Sequence, residues 1–406
     1  MTVKSPVSLA EPQGLKAIPR GVWALGFVSM LMDISSEMIH ALLPIYMVAV
    51  LGTSVLAVGI IEGIAEATAS IVKVFSGALS DKLGKRKLLA VVGYGLGAIT
   101  KPVFPLAGTL GWLVGARFID RVGKGIRGAP RDALVADLTP AHLRGAGFGL
   151  RQTLDTFGAF LGPVLAIVLM GVTAGNFQLV FWVAVIPAFL AVLVLSVAVK
   201  EPARAAVRAV RAPLSRGELA RLPAAYWSVV VVSVVFTLAR FSEAFLLLRA
   251  ESLGLPLMWT PAVLVVMALA FSASAYPAGV LSDRVGRIGV LAIGLVLLAV
   301  ADIVLAYASG LAGLLVGVAL WGLHMGFTQG VFAAMVADTA PAELRGTAFG
   351  MYNLLTGVAL LVASVLAGAL WDWAGPQATF VGGAGFAAAT LAGLGVLVSM
   401  RRRVER

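Results

Sequence analysis

The chain has 406 residues, with 31 Lys and Arg against 20 Asp and Glu, a formal net charge of +11; 60% of its residues are hydrophobic and 13% charged. Soluble domains carry roughly 45–50% apolar and about 25% charged residues, so a soluble enzyme, a disordered regulator and a nucleic-acid binder are excluded, and a polytopic membrane protein is what the composition allows. There is no cysteine and there are three histidines, His40, His142 and His324, which excludes a disulfide framework, a thiolate metal site and a Cys nucleophile.

A helix needs about 20 mostly apolar residues to cross the hydrocarbon core. Twelve runs meet that length, and they are too long and too rich in Gly, Ala and Leu for alternating barrel strands. Residues 1–20 carry Pro6, Pro12 and Pro19 without an apolar core and read as a short tail, not a signal peptide. The first run, 21–50, holds Asp33, Glu37 and His40 at i, i+4 and i+7, on one helical face. Ionisable groups inside a span are costly and default to function. Two carboxylates and an imidazole suit proton carriage, and equally the oxygen and nitrogen ligation of a divalent transition metal. The second run, 55–80, sets Glu62 and Glu66 one turn apart, with Lys73 about two turns on as a structural partner. The third, 88–107, carries Lys101.

The fourth run, 111–133, is the most charged: Arg117, Asp120, Arg121 and Lys124 share a face, and Arg121 is the candidate for modulating a neighbouring carboxylate. The groups nearer Arg131 are expected to snorkel to the interface. The fifth, 145–172, adds Asp155 one turn beyond Arg151, and the element Gly158-Ala159-Phe160-Leu161-Gly162-Pro163. Its two Gly allow close helix approach, and Pro163 removes a backbone donor and bends the helix. The sixth, 177–199, carries no charge.

The longest polar interruption, Lys200–Pro223, carries Lys200, Arg204, Arg208, Arg211, Arg216 and Arg221 and divides the runs into six and six. The seventh, 226–249, contains Arg240 and Glu243 at i, i+3, spaced for an internal ion pair; the eighth is 257–282, and the ninth, 286–308, holds Asp302. The tenth, 311–335, has His324 near Trp321, read as a satisfied polar residue; 345–371 and 378–400 complete the set. The expected organisation is a tail 1–20, a six-helix bundle 21–199, a loop 200–223, a second bundle 224–400 and a basic tail 401–406.

Lys and Arg are concentrated in the two tails and in every second loop. The alternate loops, around Gly52, Gly108, Gly175, Leu253, Ser309 and Gly375, hold almost none, Arg249 being the exception. Such asymmetry sets topology. Both termini and the central loop are expected in the cytoplasm of a bacterial-type inner membrane, with the basic loop against anionic lipid.

The two halves repeat. Residues 135–150, VADLTPAHLRGAGFGL, match 336–351, VADTAPAELRGTAFGM, and Leu79–Lys85 match Leu281–Arg287 at nearly the same offset. Both copies fall on one side, which makes a parallel repeat about an axis along the membrane normal. The segment Gly77-Ala78-Leu79-Ser80-Asp81-Lys82-Leu83-Gly84-Lys85-Arg86-Lys87 resembles the signature loop of the major facilitator superfamily, and Gly279–Arg287 its second copy. That resemblance covers nearly the whole chain. It implies an all-α fold of 12 transmembrane helices in two six-helix bundles, alternating access, and a monomer. It also implies that Gly77, Asp81, Gly84, Lys85, Arg86, Asp283 and Arg284 form the gating loops that latch the halves on the cytoplasmic side. Gly158, Gly162 and Pro163 resemble an antiporter element of the family; the second half has Ala363 and Ser364 in place of Gly162 and Pro163, so the element occurs once, as in exporters.

In the family fold the first, fourth, seventh and tenth spans line the central cavity, and here all four carry ionisable residues. The candidates for substrate binding and proton coupling are therefore Asp33, Glu37, His40, Glu62, Glu66, Arg117, Asp120, Arg121, Asp155, Arg240, Glu243 and His324, with Asp33, Glu37 and His40 as candidate metal ligands. Lys101 and Asp302 lie in spans peripheral in that fold and are left outside the site. His142 needs no explanation beyond a polar loop. Asp33–Glu37, Glu62–Ala67, Ala116–Arg121 and Ala129–Ala133 also resemble a smaller branch, some members of which are associated with nickel resistance; the C-terminus lacks a His-rich tail.

No HExxH pair or Walker loop is present, which speaks against an enzyme or a primary pump and for a proton gradient as energy source without a cofactor. The expected function is proton-coupled efflux of a metal cation or of a small cationic or amphipathic compound. Arg117, Arg121, Lys124 and Arg240 keep an organic anion as the alternative, and a receptor or scaffold that moves nothing is the remote one. The expected partners are a small-molecule or ion substrate, protons and membrane lipid, with no nucleic acid.

Overall fold

Lipid offers the backbone no hydrogen-bond partner, so long apolar runs close their own bonds as helices. A computed structural model describes residues 17–140, 143–201, 215–341 and 344–404, with the side chains of Ala78, Asp81, Lys82, Gly145, Asp283 and residues 396–404 outside the described set. It is all-helical among those residues. The first half contains α1 (Arg20–His40), α2 (Val55–Leu83), α3 (Arg86–Thr100), α4 (Leu110–Leu138), α5 (Arg144–Val172) and α6 (Phe177–Ala198). The second contains α7 (Ala224–Ala239, resuming as Ala244–Ser252), α8 (Ala262–Val285), α9 (Arg287–Tyr307), α10 (Leu311–Thr339), and α11 and α12, which together form Arg345–Val404 and meet at Gly375, where φ is 82°.

Among the described residues, ten helices are long and apolar enough to cross a membrane by length and composition. Two facts separate ten from the twelve runs read in the sequence. α4 is absent from the ten, in keeping with its charge load, and α11 and α12 run on as one helix.

The halves pack alike. α1 lies on α5 as α7 lies on the long C-terminal helix, α4 on α2 and α3 as α10 on α8 and α9, and α3 on α6 as α9 on α12. Between the halves α2 meets α11 and α5 meets α8. α1 breaks at Ala41–Leu42, just ahead of Pro44, and continues through Leu43–Ile45 into a π-helical turn, Tyr46–Val50. α7 breaks at the corresponding level, Arg240–Glu243, where Ser242 Oγ accepts from Ala244 N–H and Ser242 N–H donates to Ser364 Oγ, both at 3.3 Å.

The end of the bundle bearing residues 83–86 and 285–287 is the basic end. Gly84 (φ 63°) ends α2 in the left-handed region, and Gly286 (φ 85°) separates α8 from α9. Only glycine adopts such angles without strain. Arg86 Nη1 meets Asp137 Oδ2 at 2.6 Å and Arg287 Nε meets Asp338 Oδ2 at 2.8 Å. The repeated aspartates of the two sequence copies thus tie α4 to α3 and α10 to α9. Gly77 faces Ala129 of α4, and Lys85 and Arg284 are exposed; the carboxylates of Asp81 and Asp283, and His142, lie outside the described set.

At the opposite end Asp372 reaches from α11 to the start of α2, where its two carboxylate oxygens accept from Val55 N–H (3.2 Å) and Leu56 N–H (3.0 Å). These are orphan donors of a helix N-terminus, and an anion is favoured there. Beside it, Ala244–Ser252 packs against Leu43–Ile45 of the other half. Arg249, the one basic residue out of pattern, is buried: it donates to the carbonyls of Leu305 (2.9 Å), Ala306 (3.2 Å) and Ala308 (2.8 Å), capping α9.

Candidate functional site

The ionisable residues of the first half form one network between α1, α2, α4 and α5. At its closed end Arg117 of α4 donates to Glu62 of α2 at 2.6 Å, and both are buried. His40 stands between two carboxylates, 3.3 Å from Glu37 through Nδ1 and 3.5 Å from Glu62 through Nε2. Arg121 pairs with Glu66 at 3.0 Å and lies 3.8 Å from Asp120. Asp120 takes its closer partner from outside the expected site: Lys101 of α3 is 2.9 Å away and also donates to Ser36 of α1 at 3.1 Å. Lys101 is thus buried against the network, where the sequence reading had left it peripheral.

The second part lies towards the basic end. Arg131 is 3.6 Å from Asp155 and 3.1 Å from Asp132, and donates to Ser29 Oγ at 3.1 Å; Arg151 is 3.2 Å from Asp155. Arg127 is buried with its guanidinium 4.8 Å above the Tyr94 ring. The expectation that these arginines snorkel outward is therefore corrected: carboxylates on α4 and α5 and an aromatic face draw them inward.

Asp33 faces α5 one turn along from Asp155, and the two carboxyls interact electrostatically. The antiporter-like element makes this contact: a Cβ on Gly158 would stand 2.5 Å from Met30 O and 3.2 Å from Asp33 Cβ, and one on Gly162 would stand 2.7 Å from Glu37 Cβ. Both glycines seat α5 directly on the acidic face of α1, and α5 continues as a helix through Pro163.

Asp33, Glu37 and His40 do not converge on an ion. Among the described residues no three acidic or imidazole groups are placed to hold a metal. The geometry gives the reason: each nitrogen of His40 faces a carboxylate, so the ring has no lone pair to offer. Lys73, expected as a structural partner, is exposed and makes no ion pair among the described residues, its stem lying along Gly128.

The second half is nearly apolar where the first is charged. Arg240 and Glu243 are 3.8 Å apart at the α7 break, half-buried, and Glu243 lies within electrostatic range of His40, Glu37 and Glu66 across the halves. His324 is buried between Trp321 (ring centroids 4.8 Å) and Phe236 (6.3 Å), with no side-chain hydrogen bond to either nitrogen. It is enclosed by rings rather than satisfied. Asp302 is buried and accepts from Trp321 Nε1 at 3.2 Å. Lys101, Arg131, Arg151 and Asp372 join the functional geometry without having been singled out as site residues. An acid one turn from a base was visible for Arg151; for Asp372 there was no local signal.

A family model described as Major Facilitator Superfamily matches residues 25–275 and 261–406. An uncharacterized MFS-type transporter of Methanocaldococcus jannaschii is 32% identical over 376 residues, covering 91% of this chain and 92% of that protein. Multidrug resistance protein MdtH of Photorhabdus laumondii is 30% identical over 163 residues, 40% of this chain and 39% of that one. Among solved structures, that of the nucleoside transporter NupG superposes with a TM-score of 0.77 over 92% of this chain and 99% of the other at 14% identity, a likeness of fold.

Proposed function

This chain belongs to the Major Facilitator Superfamily, a multi-pass membrane transporter and not an enzyme, and from that premise we propose that it is a proton-coupled secondary transporter that exports a small solute by alternating access. The observation that carries the reading is the approach of Asp33 to α5 near Asp155, which Arg131 also reaches, with both acids part-exposed. Two carboxyls close together cannot both hold charge cheaply, so one proton can be taken up there and given back. A proton entering from the outer side removes one of the pair's two negative charges and frees the bundles to rock. Solute arriving from the cytoplasmic side displaces that proton. Export is supported by the Gly158–Pro163 contact and by the local similarity to a multidrug resistance protein. The loop asymmetry of Lys and Arg supports a cytoplasmic basic end, with both termini on that side.

The test uses purified protein in proteoliposomes holding a pH-sensitive dye. A proton gradient is imposed and divalent metals, lipophilic cations, amphoteric compounds and organic anions are added in turn. We expect solute-dependent proton movement that vanishes in Asp33→Asn. Solute flux that continues unchanged after the gradient is collapsed with an uncoupler overturns the reading.

A further inference from the structure

Every acid of the network but Asp33 is already matched among the described residues. Glu62 has Arg117, Glu37 has His40, Glu66 has Arg121, Asp120 has Lys101, and Asp132 and Asp155 share Arg131 and Arg151. Two exposed lysines of the network, Lys124 on α4 and Lys73 on α2, make no ion pair with a carboxylate among the described residues. Lys124 does not face lipid. It sits between Arg117, Asp120 and Arg131 on the charged face of α4, and its charge reaches Asp33, Glu37, Glu66 and Asp155. Lys73 is within electrostatic range of Asp132 and, more weakly, of Arg131, Arg151 and Lys124, and its stem crosses α4 at Gly128, one turn beyond Lys124. Two exposed like charges on facing helices repel one another, and an anion between them relieves that repulsion.

We propose that Lys124 and Lys73 form the subsite for an anionic group of the transported solute. Resting on the exchange mechanism above, this makes the substrate class a small amphoteric compound: its carboxylate- or phosphate-type group lies on the two ammoniums, and its cationic group replaces the proton at Asp33 and Asp155. The remaining arginines are unsuited to the task because each is held by a carboxylate or an aromatic ring.

The test is affinity labelling of the full chain in phosphatidylcholine nanodiscs with pyridoxal 5′-phosphate, an anionic aldehyde, against uncharged pyridoxal. The ε-amine condenses with the aldehyde and releases water; borohydride then delivers hydride to the imine carbon, and water supplies the proton to nitrogen. Peptide mass spectrometry reads the modification at each lysine. A paired-ammonium site raises the local concentration of an anion, so Lys124 is expected to react roughly tenfold faster with the phosphate-bearing reagent. In Lys73→Gln that preference falls towards one, while labelling by pyridoxal is kept and reports an intact fold. Equal rates for the two reagents, no reaction at Lys124, or a preference unchanged in Lys73→Gln overturns the proposal. So does a preference abolished by phosphatidylglycerol in the nanodisc, which assigns the subsite to a lipid headgroup. The preference is expected to survive in Asp33→Asn, so loss of proton coupling and loss of the anion subsite are read separately.

Discussion

Lys101 and Asp302 occupy the same place in the two halves, 201 positions apart, and each reaches the same place on the next helix: Lys101 bonds Asp120 at 2.9 Å, and Asp302 accepts from Trp321 at 3.2 Å. The repeat has kept a polar tie between its third and fourth helices while exchanging its charges. In the first half the tie is an ion pair inside the network. In the second it is a neutral donor on a carboxylate, packed against Gly383 of α12, which also faces the ring of Phe241.

The two ties are expected to respond in opposite ways. Lys101→Met removes the nearest cation from a buried acid and should destabilise the fold by about 3–5 kcal/mol, as breaking a buried pair does. Asp302→Asn keeps an acceptor for Trp321 and should change stability by less than about 1 kcal/mol. Thermal unfolding of the two purified variants in one detergent checks the contrast.

Arg117→Met should be as damaging as Lys101→Met, about 3–5 kcal/mol, because Glu62 is fully enclosed. Adding Glu62→Gln to Arg117→Met should recover more than half of the lost thermal stability, since the stranded charge is gone. A double variant no more stable than Arg117→Met would mean that shape at this contact, and not charge, sets the loss.

How much of this was legible in the sequence follows from what each residue touches. Asp33, Glu37 and His40 announce themselves because charge in an apolar run has few explanations. Their further partners, Asp33 facing α5 near Asp155 and His40 reaching Glu62 as well as Glu37, depend on where α5 and α2 lie, which spacing along α1 cannot tell. Lys101 was set aside because its helix is peripheral in the family fold, although a lysine side chain is long enough to reach α4 from there. The ordered loops were readable through Gly84 and Gly286, since positive φ selects glycine. Asp372 could not be read at all.

Gly158→Ala should separate α1 from α5, because its new methyl group meets the Met30 carbonyl at 2.5 Å and backbone cannot step aside. Overpacking of this kind costs about 1–3 kcal/mol. Gly149→Ala on the same helix meets nothing within 4 Å and serves as the control. Proton-coupled flux in proteoliposomes should fall steeply in the first variant and stay near wild type in the second.

Asp372→Ala removes an N-cap that joins the halves. Losing such a cap costs about 1 kcal/mol, or about fivefold in the balance between closed and open at that end. The chain has no native cysteine, so Val55→Cys provides a single reporter beside the contact. Its reaction with a membrane-impermeant maleimide should be about fivefold faster when Asp372→Ala is added. An unchanged rate would show that the apolar packing of Ala244–Ser252 on Leu43–Ile45 holds this end without help.

That contact also bears on how the molecule can change over generations. One partner is a side chain, and the other is the main chain of Val55 and Leu56. Any residue but proline supplies the same N–H, so these two positions are free to drift without weakening the hold of Asp372. No compensating pair of substitutions can arise there, and comparison of many descendants for residues that change together would pass over it. The closing of this end of the transporter is recorded in a single carboxylate whose correspondent has no letter of its own.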